Sequence, residues 1–427
     1  MSVSSPAASA SARSSSQLYR IIAAGSIGNA LEWYDLLLYG YLAVTLSTVF
    51  FPKGNETVSL LATFGTFGIS YLVRPLGAIV LGAYADRAGR KASLMVSILL
   101  MVIGTVMMAL MPSYAQIGVL APIGVLAARL IQGFSVGGEF GSATSFLVEH
   151  GPDRKGFLAS WQWSGQGLAA LLASAFGVGL TTLLPPDDLH AWGWRIPFAF
   201  GLLIGPIGFY IRSHVEETPE FLEVETTTSP VSDVVLSQWD RVVMAIGAVV
   251  LSTSSNYVIL YMPTFAIREL GLPPSTGFIA TLIGAIILTV GAPFVGHWTD
   301  TVGRVRVMVA ATLLFMVSAY PVFVVLTAQQ SLAALVAVVA WMSLLKTGYS
   351  GALPALLAES FPTRTRVTGM ALSYNIGVPL FGGFAPLTVQ WLIGVTGSKL
   401  APSYYLIGAG LLSLIALTVI RVRLRLR

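Results

Sequence analysis

The chain has 427 residues, of which 55% are hydrophobic and only 10% are charged. A typical globular protein carries about 25% charged residues, so this composition argues against a soluble enzyme, a nucleic-acid-binding protein and a disordered scaffold. The net charge of +5 does not indicate nucleic-acid binding, because the basic residues are spread through short segments between apolar runs. Cys is absent and the four His residues lie far apart, so we expect no disulfide framework and no metal cluster.

The amino-terminal residues 1–17 are rich in Ser and Ala and predict a disordered tail. The apolar run that follows, from about 19 to 51, is too long for the core of a signal peptide and has no convincing cleavage site. We therefore interpret this run as a first membrane span that remains in the protein.

Apolar runs of similar length continue to the end of the chain. A helix needs about 20 apolar residues to cross a bilayer, and twelve runs reach roughly that length. They cover residues 19–51, 57–84, 92–112, 115–148, 155–182, 195–213, 240–270, 276–298, 305–328, 331–359, 366–396 and 402–421. The sequence therefore predicts twelve membrane spans, numbered span 1 to span 12 in chain order.

The positions of the basic residues predict the orientation of these spans. An even number of spans places both termini on one side, and most of the 24 Lys and Arg residues fall on that side. Basic residues are concentrated in cytoplasmic segments of membrane proteins. We therefore expect both termini to be cytoplasmic, including a basic tail at residues 422–427.

The longest polar interruption, residues 214–239, divides the chain into two halves. It predicts a cytoplasmic linker between six spans in residues 18–213 and six spans in residues 240–421. An internal repeat supports the division, because a polar motif in the predicted loop after span 2 recurs half a chain later in the loop after span 8. The repeated residues are Gly82, Asp86, Gly89 and Arg90 in the first copy and Gly296, Asp300, Gly303 and Arg304 in the second. Glu149 and Glu359, at the ends of spans 4 and 10, form a second matching pair.

These motifs resemble the signature of the major facilitator superfamily. Four further stretches, residues 28–35, 74–77, 129–139 and 192–198, resemble its metabolite:proton symporter branch. The resemblance implies an all-α membrane protein of twelve helices in two pseudo-symmetric six-helix bundles, located in a bacterial inner membrane. It also implies proton-coupled uptake, by alternating access, of a small carboxylate such as citrate, tricarballylate or 2-oxoglutarate.

Ionisable side chains inside the predicted spans are the candidate functional residues. Each costs about 2.5–3.5 kcal/mol at the bilayer centre, so each needs a partner or a function. The cations are Arg74, Arg129 and Lys346, and the carboxylates are Glu32, Asp35 and Glu139. When all are charged the two sets balance, and protonation of one carboxylate would release a cation for an anionic substrate. This shared ion pair would make proton and anion binding favour each other.

The candidate residues divide into three roles. For substrate binding we select the three cations and a set of polar neighbours: Arg129, Arg74, Lys346, Asn29, Gln162, Gln166, Tyr349 and Asn375. For the coupled proton we select Asp35, then Glu139, then Glu32. For an inner gate we select the charged residues of the repeated motifs: Asp86, Arg87, Arg90, Glu149, Asp300, Arg304 and Glu359. Arg74 and Arg129 have an alternative interpretation as structural partners of the carboxylates, and each polar neighbour has one as a bond between helices.

The sequence is also compatible with other functions. One is symport of a different organic acid or zwitterion, such as shikimate, an aromatic acid, proline or betaine, and another is exchange without proton coupling. A drug antiporter is disfavoured because cations lie beside the acids. A membrane enzyme lacks a credible catalytic set, and the absence of a phosphate-binding loop excludes self-contained ATP-driven transport. We expect a monomer in lipid that needs no cofactor or metal, with protons and a small anionic metabolite as its partners.

Overall fold

The computed structural model describes residues 29–30, 33–52, 54–88, 90–137, 139–149, 153–213 and 230–426. Every regular element within these ranges is a helix. The predicted tail at 1–17 and the linker residues 214–229 lie outside the described residues. The helix Pro230–Ser237 occupies the later part of the predicted linker.

Helices lie at all six spans predicted for the first half. Span 1 is helical over residues 33–50 apart from a turn at Leu42. Spans 2 to 6 are formed by Glu56–Leu72 with Arg74–Ala88, Arg90–Leu110, Leu120–Ser135 with Glu139–Glu149, Lys155–Leu183 and Arg195–Ser213. Short helices at Tyr114–Ile117, Pro186–Asp188 and Leu189–Gly193 connect them.

Helices also lie at all six spans predicted for the second half. Spans 7 to 12 are formed by Trp239–Arg268, Pro274–Val302, Arg304–Gln329, Leu332–Ser350 with Leu353–Ser360, Arg366–Val378 with Pro379–Gly383 and Ala385–Thr396, and Ala401–Arg423. The π-helical turn Pro379–Gly383 interrupts span 11, and a short 3-10 helix at Thr363–Thr365 precedes it.

The helices have the length and the surface of membrane spans. In the described part of the chain, eight helices are long and apolar enough to cross a bilayer, and Met95–Leu110 and Leu120–Ser135 are shorter apolar helices. Large apolar side chains such as Phe294 and Val317 lie on the outside of the protein. An apolar exterior is the surface that lipid requires, so the chain is built as a multi-pass membrane protein.

The aspartates of the repeated polar motifs lie in helices rather than in loops, which corrects the sequence prediction. The helices run on to Ala88 and to Val302, so both Asp86 and Asp300 lie in a last helical turn. Polar side chains at a membrane surface do not break a helix, because its backbone hydrogen bonds remain intact. The second helix ends at Gly303, where φ is 101° and the chain reverses into span 9.

Spans 2 and 4 approach each other backbone to backbone, which positions two buried arginines. A Cβ atom on Gly133 would overlap the carbonyl oxygen of Ser70, and one on Gly137 would overlap that of Arg74. Small residues allow such close contact between helices in lipid. The glycine-rich segment of span 4 therefore brings Arg129 near the helix that carries Arg74.

Several pairs of spans join the two halves in the described part of the chain. Spans 5 and 8 pack together along their length, span 2 packs against span 11, and the end of span 4 packs against the start of span 11. Asp300, Lys346 and Asn375 make contacts across this surface, so a movement of one half against the other would rearrange them.

Candidate functional site

Arg129 lies inside the first half, with its guanidinium against two aromatic rings. The guanidinium carbon is 4.6 Å from the ring centroid of Tyr39 and 5.5 Å from that of Phe67. Its Nη1 donates to the side-chain oxygen of Gln132 at 2.9 Å and to the backbone oxygen of Asp35 at 3.3 Å. Nε and Nη2 have no hydrogen-bond partner among the described residues. These two nitrogens form one edge of the guanidinium, the edge that can bind a carboxylate through two parallel bonds.

Asp35 is 3% exposed and connects to Arg129 through neutral side chains. Its Oδ2 accepts a hydrogen bond from the hydroxyl of Thr105. The Thr105 oxygen accepts from Nε2 of Gln132 at 3.2 Å, and Gln132 accepts from Arg129. The other carboxylate oxygen, Oδ1, has no partner within the described part of the chain. The predicted acid and the predicted cation therefore share one polar network without a direct ion pair.

Arg74 faces the second half across a group of aromatic residues. Its guanidinium carbon is 4.1 Å from the ring centroid of Tyr71 and 5.1 Å from that of Trp33. The hydroxyl of Tyr257, from span 7, donates to the hydroxyl of Tyr71 at 2.7 Å, which joins the two halves beside this cation. Nε and Nη2 of Arg74 also lack a partner among the residues described. Arg74 therefore presents the same unfilled edge as Arg129.

Lys346 is the cation of the second half, and it lines a small cavity between the halves. Its Nζ donates to Oδ1 of Asn256 and lies 5.4 Å from the ring centroid of Trp163, which belongs to span 5. The cavity is bounded by Leu37 and Tyr41 from span 1, and by residues of spans 5, 7, 8 and 10. An anion in this cavity would meet Lys346 directly.

The polar neighbours selected from the sequence fall into two groups. Four of them bond to other helices: Asn29 to the backbone of Gln162 at 2.6 Å, Gln162 to Thr144, Asn375 to the backbone of Gly137 at 2.6 Å, and Tyr349 to the backbone of Ala248 at 2.7 Å. Gln166 differs, because it is buried and its Oε1 has no partner in the described ranges. Within this set, Gln166 alone keeps a free acceptor in this conformation.

The second copy of the repeated motif holds the halves together at one end of the molecule. Oδ1 of Asp300 accepts from the backbone N–H of Gly156 at 2.7 Å, and Oδ2 accepts from that of Phe157 at 3.0 Å. These amides belong to the first turn of span 5, where an acidic group is favoured. Arg304 donates to Asp300 at 3.0 Å and to Glu359 at 2.8 Å. Three of the predicted gate residues thus form one network between span 5 and spans 8 to 10.

An ion pair at the opposite end was not predicted. Arg268, at the end of span 7, pairs with Glu56, at the start of span 2. The two residues are distant in sequence, and only helix packing brings them together. The halves are therefore in contact at both ends, with the Lys346 cavity enclosed between them.

Several predicted residues or their side chains lie outside the described part of the chain. Glu32 lies outside the described residues, as do the side chains of Glu139, Asp86, Arg87, Arg90 and Glu149. The helix that carries Asp86 packs against span 11. The first copy of the gate motif therefore has a position but no described contacts.

Sequence reasoning missed Thr105 and Trp163 as functional neighbours. A threonine in a membrane helix usually bonds to its own backbone, and a tryptophan usually packs in the core or anchors the interface, so neither residue type is a signal alone. A charged residue in an apolar run is a signal, and Asp35, Arg129 and Lys346 were found in that way.

Two family models together match nearly the whole chain. Residues 21–246 match the family described as "Sugar (and other) transporter", and residues 244–426 match "Major Facilitator Superfamily". Together with the described membrane-spanning helices and the contacts between the two halves, this match defines the class of protein. The chain belongs to the major facilitator superfamily of membrane transporters and is not an enzyme.

Individual relatives indicate the branch of the family to which the chain belongs. The citrate-proton symporter of Klebsiella pneumoniae is 39% identical over 393 residues, with 91% of this chain and 88% of the relative covered. The citrate-proton symporter of Salmonella typhi is 37% identical, with 93% and 92% covered. The proline/betaine transporter of Salmonella typhimurium is 32% identical, with 93% and 82% covered. The chain is a member of the metabolite:proton symporter branch.

A solved structure supports the fold. The proton:xylose symporter bound to 6-bromo-6-deoxy-D-glucose superposes with a TM-score of 0.77 at 17% identity, with 96% of each chain covered. The predicted all-α fold of two six-helix bundles is thereby confirmed.

Proposed function

We propose that the chain is a proton-coupled symporter of a small carboxylate such as citrate, tricarballylate or 2-oxoglutarate. Arg74 and Arg129 are both fully buried, and each has an unfilled Nε–Nη2 edge among the described residues. This observation carries the proposal. A guanidinium edge fits a carboxylate through two charge-assisted bonds.

The balance of buried charge supports an anionic substrate. None of Arg74, Arg129 and Lys346 forms an ion pair with a carboxylate in the described part of the chain. Leaving a buried charge without its partner costs about 3–5 kcal/mol. A substrate with two or three carboxylates would supply negative charge to these cations when it binds between the halves.

The coupled proton is assigned to Asp35, with Glu139 and Glu32 as the next candidates. Asp35 is buried within the network of Arg129, so a change in its charge alters the hydrogen bonds around a substrate-binding cation. Binding a proton at Asp35 frees Arg129 electrostatically for the substrate, and reciprocity requires the substrate to favour the proton. The proton gradient supplies the energy, and transport needs no cofactor.

Alternating access would use the contacts at the two ends of the molecule. The Asp300 network closes the end that the positive-inside rule assigns to the cytoplasm, and Glu56–Arg268 closes the other. Substrate release then requires the Asp300 contacts to break while the Lys346 cavity opens. We propose a bacterial inner membrane location, cytoplasmic termini and a monomeric unit.

A zwitterionic substrate is the second candidate, since a proline/betaine transporter is 32% identical. A quaternary ammonium group binds to open aromatic faces. Here the faces of Tyr71 and Tyr39 are already taken by Arg74 and Arg129. The site therefore favours a substrate with more carboxylates than cationic groups.

A ligand screen on the purified protein tests the proposal. A ligand stabilises the folded state as its concentration exceeds its dissociation constant. We expect citrate, tricarballylate or 2-oxoglutarate to raise the melting temperature of the wild type, and proline betaine to leave it unchanged. At the same ligand concentration Lys346→Met should reduce the rise, while Lys399→Met should keep it, because Lys399 bonds to the backbone oxygen of Glu269 within the second half. Stabilisation by proline betaine alone would contradict a carboxylate substrate.

A further inference from the structure

The hydroxyl of Thr105 lies at the centre of the polar network and has more partners than a single proton can serve. Its oxygen is within hydrogen-bond distance of Oδ2 of Asp35, of the backbone oxygen of Met101 at 3.0 Å, and of Nε2 of Gln132 at 3.2 Å. A hydroxyl has one hydrogen to donate and two lone pairs that accept. The amide nitrogen of Gln132 can only donate, so its bond uses one lone pair of the Thr105 oxygen. Asp35 and Met101 both offer oxygen atoms and compete for the one hydrogen.

The charge of Asp35 decides this competition. When the carboxylate is ionised it can only accept, so Thr105 donates to Asp35. The Met101 carbonyl then accepts no hydrogen bond from the Thr105 hydroxyl. When Asp35 holds a proton on Oδ2 it becomes a donor, and Thr105 must accept from it. The hydroxyl hydrogen then turns to Met101. The heavy atoms fit both arrangements without moving, and the Gln132 bond persists in each.

We propose that Thr105 is a positioning residue whose hydroxyl reverses direction when Asp35 gains or loses its proton and thereby links Asp35 to Gln132 and Arg129. This inference rests on the proposed function for its role in transport. The reversal changes the dipole that Gln132 meets, and Gln132 accepts from Nη1 of Arg129. Protonation of Asp35 therefore affects the substrate-binding cation through the hydrogen bonds of Thr105 and Gln132 rather than through a direct ion pair.

The other described groups around Asp35 do not replace Thr105 as the hydrogen-bond partner of its carboxylate. The titratable groups that interact with Asp35, among those described, are Arg129 of span 4 and Tyr34 of span 1. The Tyr34 hydroxyl donates to the backbone oxygen of Pro197 at 2.9 Å and is therefore turned away. On the side of span 6, Gly201 leaves room for Oδ1, because a Cβ atom there would come within 2.5 Å of it. Thr105 is the described hydrogen-bond partner of the Asp35 carboxylate.

An infrared measurement tests the reversal without any transport. The carbonyl stretch of protonated Asp35 is isolated as the band in a low-pH minus high-pH difference spectrum that Asp35→Asn removes. In Thr105→Val the acid loses its acceptor, so we expect this band to move to higher frequency. Thr105→Ser, which keeps the hydroxyl, should leave the band at the wild-type position. Thr312→Val is the matched control, since Thr312 is a buried threonine that bonds to its own backbone at Met308.

A transport measurement tests the role in coupling. In proteoliposomes, Thr105→Val should lower citrate accumulation driven by a pH gradient by at least about fivefold, the lower range of coupling effects. Counterflow without a gradient should match that of Thr312→Val, and Thr105→Ser should recover accumulation. Thr105→Ala carries the same expectations if the valine variant does not fold.

The two measurements separate the possible failures. An unchanged band in both Thr105→Val and Thr105→Ala would overturn the reversal. A moved band with wild-type accumulation would overturn the role in coupling. If the wild type transports no carboxylate at all, the proposed function is wrong. The infrared result still decides whether the Thr105 hydroxyl reverses direction when Asp35 gains or loses its proton.

Discussion

The two halves repeat a fold but carry different chemistry. In the first half, Asp35 and Arg129 are joined through Thr105 and Gln132, and neither lines the cavity beside Lys346. In the second half, Lys346 is held by the amide of Asn256 and has no carboxylate partner among the described residues. A repeated fold therefore does not require a repeated site. We infer that the first half binds the proton, the second half adds a cation for the anion, and Arg129 connects the two events.

Loss of the acid should have the largest effect. In Asp35→Asn we expect accumulation of citrate to fall to about the equilibrium level, because a neutral amide cannot take up the coupled proton. Exchange of substrate across the membrane should continue. Uptake under a pH gradient and counterflow without one are the paired measurements. Asp240→Asn, which changes a half-exposed acid paired with Arg423, is the control. Normal accumulation in Asp35→Asn would move the proton to Glu139 or Glu32.

Loss of the guanidinium fork should come next. Arg129→Ala should weaken substrate binding about ten- to a hundredfold, since bonds to charged groups contribute roughly 1.5–3 kcal/mol. Arg129→Lys should not restore the affinity, because an ammonium group cannot form the two parallel bonds. Isothermal titration with citrate measures both. Wild-type affinity in the two variants would remove Arg129 from the substrate site.

The contribution of Lys346 to citrate binding should depend on its charge rather than on its shape. We expect Lys346→Met to weaken citrate binding about tenfold, and Lys346→Arg to retain most of the affinity, because a cavity cation acts chiefly through its charge. The same titration gives the answer. If both substitutions weaken binding equally, packing against Trp163 matters more than charge, and the contrast between the halves is reduced.

The Asp300 network should affect rate more than affinity. Asp300→Asn weakens two charge-assisted contacts with the first turn of span 5, so we expect the transport rate to fall about three- to tenfold at an unchanged dissociation constant. Initial uptake rates and titration distinguish the two effects. A large loss of affinity with normal turnover would give Asp300 a binding role instead.

The outer ion pair should have the smallest effect. The side chain of Glu56 is 71% exposed, and exposed ion pairs contribute about 0.2–1 kcal/mol. Glu56→Gln should therefore change the transport rate by less than about fivefold. A loss as large as that of Asp300→Asn would show that the two ends of the molecule are held with similar strength.

The fold was more predictable than the site, for physical reasons. Apolar length and basic residues predict spans, because lipid imposes those requirements directly on the sequence. Asp35, Arg129 and Lys346 also stand out, because a charge in an apolar run is costly. The partners of those charges do not stand out. Thr105 contacts Asp35 only because of how spans 1 and 3 are rotated, and Glu56 meets Arg268 only because spans 2 and 7 pack at one end.

The helix ends illustrate the same limit. The polar residues around Asp86 and Asp300 predict loops, yet both lie in helices that continue to Ala88 and Val302. Polarity locates the membrane surface and does not locate the end of a helix. The ends depend on backbone conformation, as at Gly303.

The central claim is that a proton and a carboxylate enter together. Wild-type protein in liposomes with a pH-sensitive dye inside, and no pre-set gradient, tests it most directly when radiolabelled citrate is added outside. The account predicts acidification of the lumen in step with citrate entry, and neither net acidification nor accumulation with Asp35→Asn. Citrate entry at a normal rate without acidification of the wild-type liposomes would contradict it.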